Sequence, residues 1–153
     1  MAAIVSPATG DTATAAWADS VADQLNQMHA FMTLANPNAT STGAGTATWV
    51  TMGNVTVPTW ATKARVCLSM AGLSATATTS QADIAVKIGT AVSPGVRMFY
   101  TLAARMPPVC IADLLTSVPT GSQSVTVQAT FQVSTFSAPA TACTFNLNID
   151  WLQ

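Results

Sequence analysis

The sequence predicts a mainly β fold: an antiparallel, jelly-roll-like β-sandwich preceded by an extended arm and one short α-helix. Three observations carry this. From Trp49 onward, apolar and polar residues alternate in one segment after another. Clusters of Gly, Pro, Ser and Thr separate those segments. Ahead of them, Trp17, Val21, Leu25, Met28 and Met32 step by four, four, three and four, the spacing of one helical face. A chain of 153 residues is long enough for one domain with a buried core and a short appendage.

Residues 1–13 have no period and are rich in Ala, Pro, Gly and Thr, so they read as a flexible arm. Residues 14–35 read as the amphipathic helix. Asp11, Thr12 and Thr14 each offer a side-chain oxygen to the free amides of its first turn. Asp19 and Asp23 stand in its front half, where the helix dipole favours negative charge. Asn36 and Pro37 end it. Residues 36–48, NPNATSTGAGTAT, have the composition of a linker. Residues 49–153 form the sandwich.

Within the sandwich, GNVTVP alternates Val55 and Val57 with Asn54 and Thr56, and Pro58 closes it. KARVCLSMAG places Ala64, Val66, Leu68 and Met70 on one face. ADIAVKIG does the same with Ile84, Val86 and Ile88. VRMFYTLA sets Val96, Met98, Tyr100 and Leu102 against Arg97, Phe99 and Thr101. VCIADLLTSV is less regular and fits an edge strand or a helical turn. SVTVQATFQV sends Val125, Val127, Ala129, Phe131 and Val133 inward. TFNLNIDWLQ does so with Phe145, Leu147, Ile149 and Trp151. About seven or eight strands with one-sided alternation fit two packed antiparallel sheets.

Composition narrows the function. Only 7% of residues are charged and none is Glu, so Thr, Ser, Asn and Gln must supply the polar surface. Neutral side chains cost less to desolvate than charged ones, which suits a surface covered by other protein chains. The net charge of −1 and the scattered bases Lys63, Arg65, Lys87, Arg97 and Arg105 give no footprint for nucleic acid. No apolar stretch approaches the ~18 residues of a membrane span. The opening MAAIVSPATG has neither the basic start nor the apolar run of a secretory leader, so synthesis in a cytoplasm is expected.

Nothing in the pattern specifies catalysis or a cofactor. Asp19 and Asp23 are one helical turn apart and read as a solvated face. His29, the only histidine, reads as a cap near the helix end. Cys67, Cys110 and Cys143 form no CxxC pair, so neither a zinc site nor a disulfide is indicated, though a disulfide stays open, and buried free thiols are expected for most of them. Trp49 and Trp60 flank the first strands; packing is the expectation, with stacking on a sugar as the other reading. No catalytic residue, metal ligand or cofactor is therefore expected.

A helix of about twenty residues is marginal alone in water, so its stripe must be buried. The stripe of Trp17, Val21, Leu25, Met28 and Met32 fits a three-stranded bundle between sister chains. The run GDTATAAWADSVADQLNQM, then the Thr/Gly/Ala linker, then W-V-x-M and V-T-V-P-x-W-A-T-K-A-R-V, resembles small virion surface proteins of tailed bacteriophages, especially those of actinobacterial hosts. That resemblance implies a jelly-roll head akin to the trimeric heads of fibres and capsid spikes. It implies a non-enzymatic capsid decoration or head-fibre protein, made in the host bacterial cytoplasm and carried on the virion surface. Its partners would be itself, as a homotrimer, and the major capsid protein. Ile4, Val5 and Pro7 of the arm are the expected capsid anchor. The alternative is a tail-fibre tip or adhesin whose loops hold a host cell-wall glycan.

Overall fold

The structure, a computed structural model, describes Ala18, Val21 and residues 28–40, 45–75, 80–100, 105–131, 136–138 and 142–153. Its strands are β1 (His29–Ala35), β2 (Ala39–Thr40), β3 (Gly45–Val57), β4 (Lys63–Ala71), β5 (Ser74–Ala75), β6 (Ser80–Ile88), β7 (Ala91–Val92), β8 (Val96–Tyr100), β9 (Val109–Thr116), β10 (Gly121–Phe131), β11 (Phe136–Ala138) and β12 (Thr144–Leu152). One sheet has the order β1-β12-β4-β9. The other runs β3-β10-β6, with β7 and β8 sharing the far side of β6. A small third sheet joins β2, β11 and β5.

All pairings between these strands are antiparallel. Taking β1, β3, β4, β6, β8, β9, β10 and β12 as the eight principal strands, the first sheet contains the first, eighth, third and sixth. The second contains the second, seventh, fourth and fifth. That is the strand order of a jelly roll, two Greek keys wound into a sandwich.

The alternation read from the sequence is what closes the core. Ala64, Val66, Leu68 and Met70 of β4 and Phe145, Leu147 and Ile149 of β12 are fully buried. They face Ala82, Ile84 and Ile88 of β6 and Val125, Val127 and Ala129 of β10, also fully buried. Each large side chain so placed contributes ~1.5–3 kcal/mol relative to exposure. Two register shifts in β3, opposite Val125–Thr126 and Val127–Gln128, mark bulges. There the strict alternation breaks, and Trp49, Val50 and Met52 are all buried. Trp49 meets Phe145 of the opposite sheet edge-to-face, ring centroids 5.6 Å apart at 78°.

Two expectations need correction. The helix expected over residues 14–35 stops before His29, because His29–Ala35 is strand β1. Ala18 and Val21 are helical. The four-residue step from Met28 to Met32 fits a helix, but Ala30, Met32 and Leu34 also alternate with His29, Phe31, Thr33 and Ala35. The exposed edge of β12 decides between the two periods, since it pairs with β1 through seven residues, from His29↔Asp150 to Ala35↔Thr144. Asn36 and Pro37 therefore end a strand. Asn36 takes a left-handed φ of 51°, donates its N–H to Cys143 O at 2.7 Å and accepts the Cys143 N–H at 3.2 Å. The sandwich, expected to start at Trp49 after a linker over 36–48, starts at His29 and uses Ala39–Thr40 and Gly45 onward as strand.

The irregular segment at 109–118 is the edge strand of the first sheet. Its irregularity is Asp113, which occupies an inward position beside Val66 in the register. Asp113 accepts the N–H of Gly95 at 2.9 Å and its neighbour Leu114's N–H at 2.9 Å, so its carboxylate is not stranded.

Candidate functional site

The outer face of the β1-β12-β4-β9 sheet gathers most of the chemistry in the described residues. Register sets its rows. Phe31 stands beside Asn148 and then Cys67; His29 beside Asp150, Arg65 and Leu114; Thr33 beside Asn146, Ser69 and Cys110. His29 Nδ1 lies 2.7 Å from Asp150 Oδ1, and Thr33 Oγ1 donates to Asn146 Oδ1 at 3.0 Å. Lys63 Nζ donates to the Gln153 carbonyl at 3.2 Å. Phe31 is 65% exposed and Leu114 43%. Phe31 stands among the neutral Asn148, Thr33 and Asn146, and Leu114 beside Arg65; large apolar groups left in water mark a contact surface better than a reaction centre.

Cys67 Sγ and Cys110 Sγ touch at 3.2 Å. The hydrogen bond to Cys110, partial burial, and nearby negative charge on Cys110 and Asp150 together push the Cys67 thiol up. Cys143 is different. It is buried at the start of β12, and desolvation raises its pKa against the pull of nearby Arg105.

Two open depressions meet at the start of β1. One, about 490 Å³, is lined by His29, Thr56, Pro58, Thr59, Gly121 and Trp151 with their neighbours. The other, about 480 Å³, is lined by His29, Phe31, Cys67, Asn148 and Asp150 with their neighbours. Trp151 contributes little exposed surface, being 2% accessible. Trp49 is in the core and Trp60 packs against it half-buried, so packing accounts for both. Among the described residues, no group of three or more His, Cys or Asp side chains converges as a metal cage would require.

The outer face of the second sheet is plainer. Thr126 and Gln128 stand beside Thr51 and Thr48 of β3. Arg97 grips Asp83 through two bonds, Nε to Oδ1 at 2.7 Å and Nη2 to Oδ2 at 3.0 Å, and the carboxylate raises the Arg97 pKa. Phe99 is 59% exposed beside them.

The expected site residues divide unevenly. Val21 is helical and half-buried, and Met28 lies in a turn, 37% exposed. Met32 sits on β1 with its Cε against Gly53 of β3, so it serves its own sandwich. Trp17 and Leu25 of the stripe, and Ile4, Val5 and Pro7 of the arm, lie outside the described residues. Sequence reasoning missed the exposed Phe31, the His29–Asp150 pair and the Cys67–Cys110 contact. Each joins distant strands, and only the register brings the partners together.

No protein-family model matches the chain, and no curated protein is similar to it in sequence. Among solved structures, the tripod (BppUct-A-L) from the baseplate of bacteriophage Tuc2009 superposes with a TM-score of 0.40 at 14% identity. The match covers 98% of this chain and 74% of that one.

Proposed function

We propose that this chain is a non-enzymatic structural protein of a tailed-bacteriophage virion, a capsid decoration or head-fibre protein that binds the capsid surface as a homotrimer. The observation that carries the proposal is the outer face of the first sheet. There Phe31 and Leu114 stand exposed on a jelly roll with few charges. Around Phe31, where Asn148, Thr33 and Asn146 are neutral, burial against protein costs little. The resemblance of the arm, helix and first strands to small virion proteins supplies the setting.

In this proposal the helix stripe, now Trp17, Val21 and Leu25, joins sister chains ahead of β1, with Met28 in the turn that follows. The arm, through Ile4, Val5 and Pro7, holds the major capsid protein. Quantitative mass spectrometry of purified particles tests the location: hundreds of copies per virion support the capsid, and a handful overturn it. Deleting residues 1–10 should leave folding and trimerisation intact while removing the protein from particles. Normal incorporation would rule out the arm as anchor.

The second reading is a tail-fibre tip or adhesin that holds a host cell-surface glycan. The depression beside β1 favours it, with Thr56, Thr59 and His29 as polar groups around an open bowl. Retention of the purified protein on bacterial cell-wall polysaccharide, with a low copy number, would establish this reading instead.

A further inference from the structure

We propose that Cys67 and Cys110 form a reversible dithiol–disulfide site that staples the edge strand β9 to β4. It stands independently of the virion reading. In the antiparallel register, Cys67 faces Ala112 and Cys110 faces Ser69, so the two cysteines are diagonal neighbours. Diagonal Cβ atoms are ordinarily about 7–8 Å apart or somewhat less, and the right-handed twist of a sheet shortens one diagonal of each pair. Here the two side chains already point at each other, with the sulfurs 3.2 Å apart. A bond requires roughly 2.05 Å, so oxidation has to draw the two sulfurs together by only about 1 Å more.

Access orders the chemistry. Cys110 is exposed, Cys67 half-buried and Cys143 buried. The oxidant is a small disulfide such as oxidised glutathione. The Cys110 thiolate attacks one glutathione sulfur, and the other glutathione leaves as a thiolate. With its sulfur bonded to glutathione, Cys110 no longer accepts the Cys67 S–H as a thiolate does, and the Cys67 proton passes to water. Cys67, as thiolate, attacks the Cys110 sulfur and expels the second glutathione. Two protein thiols lose their hydrogens and one disulfide becomes two thiols, so atoms and electrons balance.

The consequence is structural. Cys67 and Cys110 are 43 residues apart, and the chain between them leaves the first sheet, builds β6, β7 and β8 of the second, and returns. Closing so long a loop restricts the unfolded chain and ties the edge strand to the sheet interior. In the reduced protein, backbone hydrogen bonds and packing hold β9 without this link.

The test uses the full chain, purified with a reductant and then incubated with excess oxidised glutathione. Thiol counting in denaturant should fall from three to one, with a mass loss of about two units and a peptide linking Cys67 to Cys110. Melting temperature should rise by roughly 5–15 °C, and dithiothreitol should reverse it. Cys67→Ser should instead hold a persistent mixed disulfide on Cys110. Should that variant fail to fold, the wild-type thiol count and linked peptide still decide. Three remaining thiols, a lasting glutathione adduct on the wild type, or a linkage between two chains would each overturn the proposal.

Discussion

The two sheets share one core yet present unlike outer faces. Inward, β4 and β12 of the first sheet and β6 and β10 of the second bury the same kind of apolar ladder. Outward, the first sheet carries an imidazole–carboxylate pair, two touching thiols and the exposed Phe31. The second carries threonines, glutamine and one forked Arg97–Asp83 pair beside Phe99. The difference teaches that the core restrains only every other residue. The alternate positions are free to specialise, and here one sheet has done so more than the other.

The largest blow should come where the sheets are alike. Phe145 is fully buried and spans to Trp49 across the sandwich. Phe145→Ala should cost about 3–5 kcal/mol by urea denaturation, and both sheets should unfold together. Separate transitions would show that the common core is less shared than the packing implies.

A smaller effect separates two glycines. Gly72, where the chain leaves β4, has φ +78° and a Cβ there would sit 2.0 Å from the Ala142 carbonyl oxygen. Gly121, at the start of β10, has φ +81° with open space around it. Gly72→Ala should therefore destabilise by about 2–4 kcal/mol and Gly121→Ala by only about 1 kcal/mol. Equal losses would mean that the left-handed backbone, and not the carbonyl, sets the cost at both.

Phe31 and Phe99 test the outer faces directly. Either residue changed to Ser should leave stability within about 0.5 kcal/mol, since both rings are mostly in water. Phe31→Ser should weaken self-association or particle binding, read by light scattering and particle pull-down, whereas Phe99→Ser should not. The reverse result would assign the contact to the second sheet. The smallest effect belongs to Arg97→Gln. An exposed ion pair, even a forked one, is screened by water and salt, so the melting temperature should barely move.

Strand interiors were legible because a half-buried strand writes its burial every second residue. Val125, Val127 and Ala129 of β10, and Phe145, Leu147, Ile149 and Trp151 of β12, all proved to face the core. The pattern was less legible where another force broke the period. β3 places Trp49 and Val50 together inside because of a bulge, and β9 turns Asp113 inward because a backbone N–H waits for it.

By itself, then, the sequence determined the β class, the inward faces of the long strands and the scarcity of charge, because these follow from local alternation and composition. Only the tertiary structure decided that His29–Ala35 is a strand, since the same residues satisfy a helical and a strand period and the unpaired edge of β12 selects one. Only it decided that Cys67 meets Cys110 and His29 meets Asp150, separated by 43 and 121 residues. Pairing register is a property of two strands at once, and no single stretch of sequence carries it.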